Sequence, residues 1–376
     1  MYTYAVAGAN LFGQWFIDEI IIEGFKRVSK KCPINNFDLD KARLVQANWS
    51  YNIFEIDGVF YLSGSWAKKE KQLKKVLLPM DFPKDCVTML MVGNDNFLVM
   101  IDAEKQEVFV VDLKLDTRIK RVMGNENEEE TEPVPKKAKK NNQIIKAVMT
   151  NNAAALMRFV NREVRIYVGL IPRHVRTNNV MGTIIDVQCG YEHYMLLTDT
   201  GKVYTWGNGR RLQLGHGGIE NVPKPREVRA LSGFNIKMIR AGGWHSAVVS
   251  EFGDLYMWGW NDVGQLGIKS RAVRRKELRE GPSNIKNKNH PISTVVNIYD
   301  EELNSVTLNV VDVACGSKHT VIMLSDFSIW AAGSNEYGQL GLPTKDYPLI
   351  EHFVKVFQGT KDTTLRCGPW TTIIEN

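Results

Sequence analysis

No apolar run in this chain approaches the roughly 20 residues needed to cross a bilayer, and residues 17–22 are broken by Asp18 and Glu19. A helical membrane span is therefore excluded. The opening stretch, MYTYAVAGANLFGQWF, has no charged leader followed by an apolar core, so no signal peptide is expected. Cysteine is scarce, and the five present include no CxxC pair, which argues against a zinc site. No serine or cysteine stands with a credible base. Gly207-Asn208-Gly209 lacks the following helix that a phosphate loop requires, and reads as a turn. The chain is expected to hold no catalytic, cofactor or metal site. What remains is an ordinary globular composition, 44% hydrophobic and 24% charged with a net charge of +6, in 376 residues that one large all-β domain can absorb.

What is present is repetition. Residues 187–215 read VQCGYEHYMLLTDTGKVYTWGNGRRLQLG, residues 238–267 read MIRAGGWHSAVVSEFGDLYMWGWNDVGQLG, and residues 313–341 read VACGSKHTVIMLSDFSIWAAGSNEYGQLG. The marker glycines Gly190, Gly242, Gly316 and Gly368 lie 52, 74 and 52 residues apart, the excess falling in a polar, basic insert over 269–293. Periods of about 40 to 50 residues with several short strands per unit mark propeller blades. The apolar runs at 194–197, 247–249 and 321–324 are too short for helices. Together with 203–206, 255–258 and 329–331 they predict hairpins ended by Gly207, Gly259 and Gly333. A Gln-Leu-Gly segment then leads to an outer strand.

The two ends carry complementary halves of one unit. Residues 7–14, AGANLFGQ, match 332–339, AGSNEYGQ, the second half of a repeat, while 365–374 form a first half with nothing after it. Joined, they make one blade closed by pairing of the N-terminal and C-terminal half-repeats, which removes open sheet edges. Residues 45–65 form a degenerate copy, and 89–111 and 146–169 two weaker ones. The total predicts a single seven-bladed β-propeller domain spanning 1–376.

Two segments interrupt the pattern. Residues 124–142, GNENEEETEPVPKKAKKNN, cannot bury enough apolar surface to order and read as a flexible loop. Its Lys136, Lys137, Lys139 and Lys140 fit a nuclear-import signal, and the nucleus is the expected location. The basic insert reads as a loop able to meet acidic partners; it has no interleaved aromatics, so direct nucleic-acid binding is not expected. His193, His245 and His319 recur one per blade and are expected to make structural hydrogen bonds within each blade. Cys189, Cys315 and Cys367 likewise read as separate buried thiols, and a reducing compartment follows. Function then falls to loop-proximal large residues, and Tyr191, Arg210, Arg211, Trp244, Trp260 and Trp370 are the candidate partner-binding set. The alternative for the tryptophans is packing between blades.

The pattern GWHSAVVSEFGDLYMWGWNDVGQLG resembles the regulator of chromosome condensation repeat, whose members form seven-bladed propellers. WSY at 49–51, LSGS at 62–65, GGWHS at 242–246, WGWN at 258–261, CGSKHT at 315–320 and CGPW at 367–370 resemble in particular a member of that family that partners a Jumonji-C type 2-oxoglutarate oxygenase. That likeness implies a non-catalytic nuclear partner of such an oxygenase, monomeric on its own, linked to histone H3 methylation and chromosome segregation, with histone or chromatin as further contacts. Arg165 would be a target should the oxygenase modify arginines. Trp330-Ala331-Ala332-Gly333 departs from the WGWN pattern. A guanine-nucleotide exchange factor for a small nuclear GTPase is the alternative. A scaffold in a ubiquitin-ligase or trafficking complex comes third.

Overall fold

The apolar runs at the heart of each repeat become strands with no solvent-facing side. His193–Thr198, His245–Ser250 and His319–Leu324 are buried at every position. Alternate side chains serve opposite neighbours: Val248 packs with Met195, Leu197 and Trp258, whereas Val249 packs with Ile322 and Leu324. Burial on both faces is why these strands read as continuous apolar runs and not as an alternation.

The computed structural model describes residues 2–28, 38–66, 74–75, 89–103, 105–114, 116–123, 143–160, 163–171, 173–269, 271–280 and 289–376. It is a ring of seven four-stranded antiparallel sheets. Blades 1 to 3 begin with Arg43–Ala47, Met89–Gly93 and Ile144–Met149 and end with Lys74–Lys75, Asp116–Met123 and Arg173–Val175. Blades 4 to 6 run from Ile184–Cys189, Ile236–Ala241 and Val310–Cys315 to Val222–Glu227, His290–Val295 and Leu349–Gln358. Blade 7 consists of Thr364–Gly368, Thr371–Glu375, Tyr4–Ala9 and Ile21–Arg27, in that order across the sheet. The first strand of each sheet is innermost, and each innermost strand neighbours the next around the whole ring. Outer strands are edges, and Val222–Glu227 carries Pro223, Lys224 and Pro225 there, residues that discourage further pairing.

Packing is distributed over the interfaces between blades. Each adjacent pair encloses its own apolar cluster, from Tyr51, Leu62 and Met100 between blades 1 and 2 to Tyr4, Leu44, Phe54 and Ile373 between blades 7 and 1. The shared blade closes the ring as expected: Tyr4, Ala5, Val6, Ala7 and Gly8 pair antiparallel with Glu375, Ile374, Ile373, Thr372 and Thr371. Gly8 sits at φ +125°, where a Cβ would run into the Trp370 carbonyl oxygen and come within 2.7 Å of the Thr371 Cα. Only glycine fits that approach.

The basic insert differs from expectation. Arg271–Glu280, RAVRRKELRE, is an α-helix and not a loop. Ala, Arg, Lys, Leu and Glu are all strong helix formers, and Lys276 pairs with Glu280 one turn on at 3.8 Å. Residues 124–142, with Lys136, Lys137, Lys139 and Lys140, lie outside the described residues.

Candidate functional site

Each repeat turns from its first to its second strand with the same hydrogen bond. The amide of Asn48, Asn94, Thr150, Gly190, Gly242 or Gly316 donates to the carbonyl three residues on. These turns ring one end of the shaft, and the connections from third to fourth strands lie on the same face. The turns are also tied to one another: Asn151 N donates to Tyr191 O, Tyr191 N to Gly243 O, Gly243 N to Gly316 O, and Ser317 N to Pro369 O, at 2.8–3.1 Å. The result is a belt of backbone hydrogen bonds running from blade 3 to blade 7.

Glycine in the Gly-x-x-His pattern has a steric reason. A Cβ on Gly190, Gly242 or Gly316 would strike the imidazole of the same repeat. The imidazoles of His193 and His245 bond to the next blade and not within their own, contrary to expectation. His193 Nε2 meets Ser246 Oγ of the next blade at 3.0 Å, and His245 Nε2 meets Thr320 Oγ1 at 2.9 Å. The same hydroxyls donate to the carbonyls of Gln213 and Gln265, 3.0 and 2.8 Å away, in the Gln-Leu-Gly connector of the preceding blade. Because each hydroxyl hydrogen is committed to a carbonyl, Nε2 must donate, fixing the neutral tautomer. Among the described residues, the only hydroxyls within reach of these two Nε2 atoms stand on the next blade, so His193 and His245 latch blade to blade.

The turns enclose a cavity of about 740 Å³. Its deeper collar takes one residue from the end of each innermost strand: Ala47, Gly93, Met149, Cys189, Ala241, Cys315 and Cys367. The three cysteines are free and partly exposed, not wholly buried as expected, because this position faces the shaft. Burial of the thiol groups still pushes Cys189 and Cys315 up to about 12, and Cys367 well above the usual thiol range, so none is a ready nucleophile. Among the described residues no group of three or more His, Cys, Asp or Glu side chains is placed to hold a metal ion.

Aromatic side chains stand around the mouth. Trp49, Tyr337 and Trp370 form a mutually edge-on trio with ring centroids 5.3–6.1 Å apart, and Phe12 adds an edge to Trp49 at 6.1 Å. All four are only partly buried. Tyr191 packs edge-on against Trp244 at 5.5 Å and reaches over the blade 5 turn, where its hydroxyl hydrogen-bonds Ser317 of blade 6. Gly243 makes the crossing possible, since a Cβ there would lie 2.6 Å from Ser317 O and 3.0 Å from the Tyr191 ring. Gly243→Val is expected to cost about 2 kcal/mol or more through that clash, read as a lowered urea midpoint with an unchanged slope. An unaltered midpoint would remove the bridge from this account.

The six candidate residues therefore separate. Tyr191 and Trp370 line the cavity, and Trp244 supports Tyr191. Further out, the Arg211 guanidinium lies 3.1 Å over the Trp260 ring of the next blade, and Arg210 is exposed. Arg165 sits partly buried in Glu163–Gly169, paired with Arg158 in the middle of blade 3. The packing alternative holds for Trp258, fully buried between blades with its indole nitrogen donating to Gln213 O at 2.8 Å. Sequence reasoning missed Trp49, Tyr337 and Phe12. Trp49 occupies the same repeat position as Tyr191, and that equivalence was the available signal.

The model of the regulator of chromosome condensation repeat matches residues 200–249 and 253–323, and a second model of it matches 184–213, 236–265 and 310–339. The human RCC1 domain-containing protein 1 is 35% identical over 211 residues, covering 50% of this chain and 55% of that protein. The chain thus spans about half the length of that curated relative. Two solved structures share the fold over 100% of this chain, each with a TM-score of 0.71. Human WBSCR16 is 13% identical and covered to 98%; Saccharomyces cerevisiae Prp20p is 16% identical and covered to 91%. The chain thus carries regulator of chromosome condensation repeats between residues 184 and 339, set within a complete ring of seven blades.

Proposed function

We propose that this propeller is a non-catalytic nuclear interaction module whose shaft-mouth face grips a Jumonji-C type 2-oxoglutarate oxygenase, supporting histone H3 methylation control and chromosome segregation. The observation that carries an interaction role is the half-buried trio Trp49, Tyr337 and Trp370 on a rigid, backbone-belted face. Rigid aromatics beside a cavity lose little entropy on binding and form the centres of protein interfaces. The oxygenase as partner comes from the likeness of the repeats, with Lys136, Lys137, Lys139 and Lys140 as the import signal and Arg165 as a target of modification. Affinity capture from nuclei tests the reading. The intact chain is expected to recover an iron-dependent oxygenase, and Trp49→Ala with Trp370→Ala to reduce recovery at least about tenfold. Unchanged recovery by the double variant would move the interface elsewhere, and absence of any oxygenase would remove the partner. Mass spectrometry showing Arg165 always unmodified beside active oxygenase would dispose of that target.

A second reading has its own support. Prp20p, alike in fold over the whole chain, is described by its binding to Gsp1p and histones. A guanine-nucleotide exchange role predicts a small GTPase retained only when nucleotide is removed, and accelerated nucleotide release on mixing.

A further inference from the structure

The mouth of the shaft is chemically lopsided. At the turn position where blades 4 to 7 carry glycine, blades 1 to 3 carry Asn48, Asn94 and Thr150; at the next position they carry Trp49, Asp95 and Asn151. One half of the rim is therefore rich in carboxamide and carboxylate, and the other is glycine walled by Tyr191 and Trp370. Asp95 is the single carboxylate and Lys114 the single cation among the described residues lining this cavity.

Asp95 accepts from Ser50 Oγ at 3.1 Å, and no described cation stands within ion-pair distance of it. Much of its surface remains open, yet lost hydration in the mouth raises its carboxyl above the usual range, with Ser50 and then Lys114 acting the other way. A carboxylate in such a place is short of positive charge. Asn48 adds a second unmet need. It is only 6% exposed, its Oδ1 accepts from Gln46 Nε2 at 3.0 Å, and its Nδ2 has no acceptor among the described residues. The volume of about 740 Å³ falls within the about 300–1,000 Å³ range of ligand sites.

We infer that this mouth is a socket for an arginine side chain presented by an extended segment of a protein partner, with Asp95 as the counter-ion. The inference rests on the reading of this face as a protein-interaction surface. A guanidinium suits the surroundings better than an ammonium. It is planar, stacks on indole and phenol faces such as those of Trp49, Trp370 and Tyr191, and offers several donors to Asp95 and to neighbouring carboxamide oxygens. Lys114 works against such a ligand, which gives the socket a testable sign.

Full-length protein is titrated with a capped pentapeptide bearing one central arginine, with its citrulline isostere and with a glutamate counterpart, following tryptophan fluorescence. The arginine peptide is expected to bind at least about tenfold tighter than the citrulline one, as a charge-assisted contact requires. Asp95→Asn should weaken it by about tenfold and Lys114→Ala should tighten it by about threefold, since one removes attraction and the other repulsion. Equal affinity for citrulline, preference for glutamate, or indifference to both substitutions overturns the socket. Nuclear capture separates this from the broader reading. An oxygenase still recovered by Asp95→Asn, with no arginine selectivity in the titration, sinks the socket alone; arginine selectivity with no oxygenase recovered sinks the oxygenase partnership alone.

Discussion

Removing residues 366–376 unfolds the entire propeller and not merely blade 7. The deletion takes Thr371–Glu375 and most of Thr364–Gly368, so Tyr4–Ala9 loses its whole pairing partner on one side. It also opens two cores at once: Ile374 belongs to the cluster between blades 6 and 7, and Ile373 to the one between blades 7 and 1, both fully buried. A ring whose blades are held only by neighbours has no other closure, so the loss is on the order of the whole ~5–15 kcal/mol of a typical domain. Gly8→Val asks the same question without deleting anything. Its Cβ meets the Trp370 carbonyl and lies 2.7 Å from the Thr371 Cα, at a φ that L residues rarely adopt. It should cost about 3 kcal/mol or more. Hydrogen exchange is the discriminating readout, because faster exchange should appear in blades 6 and 1 as well as in blade 7. Unchanged thermal unfolding of the truncated chain, or exchange confined to blade 7, would contradict closure as the source of stability.

Closure was legible because AGANLFGQ and AGSNEYGQ share their small residues, asparagine and Gly-Gln pair, which serve the same turn. Asn10 and Asn335 prove equivalent: each side-chain amide donates to two loop carbonyls, and each Oδ1 accepts from the amide five residues on. Blades 4 to 6 were clear for a comparable reason, as Gly-x-x-His records a steric fit between the turn and the imidazole. Where Tyr51, Phe97 and Ala153 replace the histidine, the pattern fades although the sheets persist, since strand pairing and burial do not need the latch. The mouth was harder to read. Trp49 and Trp370 meet only because the ring brings the first blade against the last, a contact that local periodicity does not encode. The direction of the histidine bonds was invisible for the same reason.

Acidification should weaken the fold at three buried histidines, the latches His193 and His245 among them. Burial lowers His193, His245 and His319 to about 3, each losing hydration in a fully enclosed site. Their Nδ1 atoms have no partner, so a second ring proton would be buried without an acceptor. The unfolded chain takes up those protons near pH 6.5, and the folded chain only near 3. Between those limits the unfolded state binds more protons, so the stability present above about pH 6.5 drains away as the pH falls. Each histidine contributes about 1.4 kcal/mol between pH 7.5 and 5.5, and three together about 4 kcal/mol. His216 and His290, also lowered by burial, act in the same direction. Urea unfolding at the two pH values measures the total. His193→Gln should remove about one third of the three-histidine part, for only the protonation difference at that site disappears. A variant with the full pH slope would mean that the pH dependence does not arise at the His193 imidazole, and a wild type with no slope at all would mean that protonated histidines find acceptors when the blades shift.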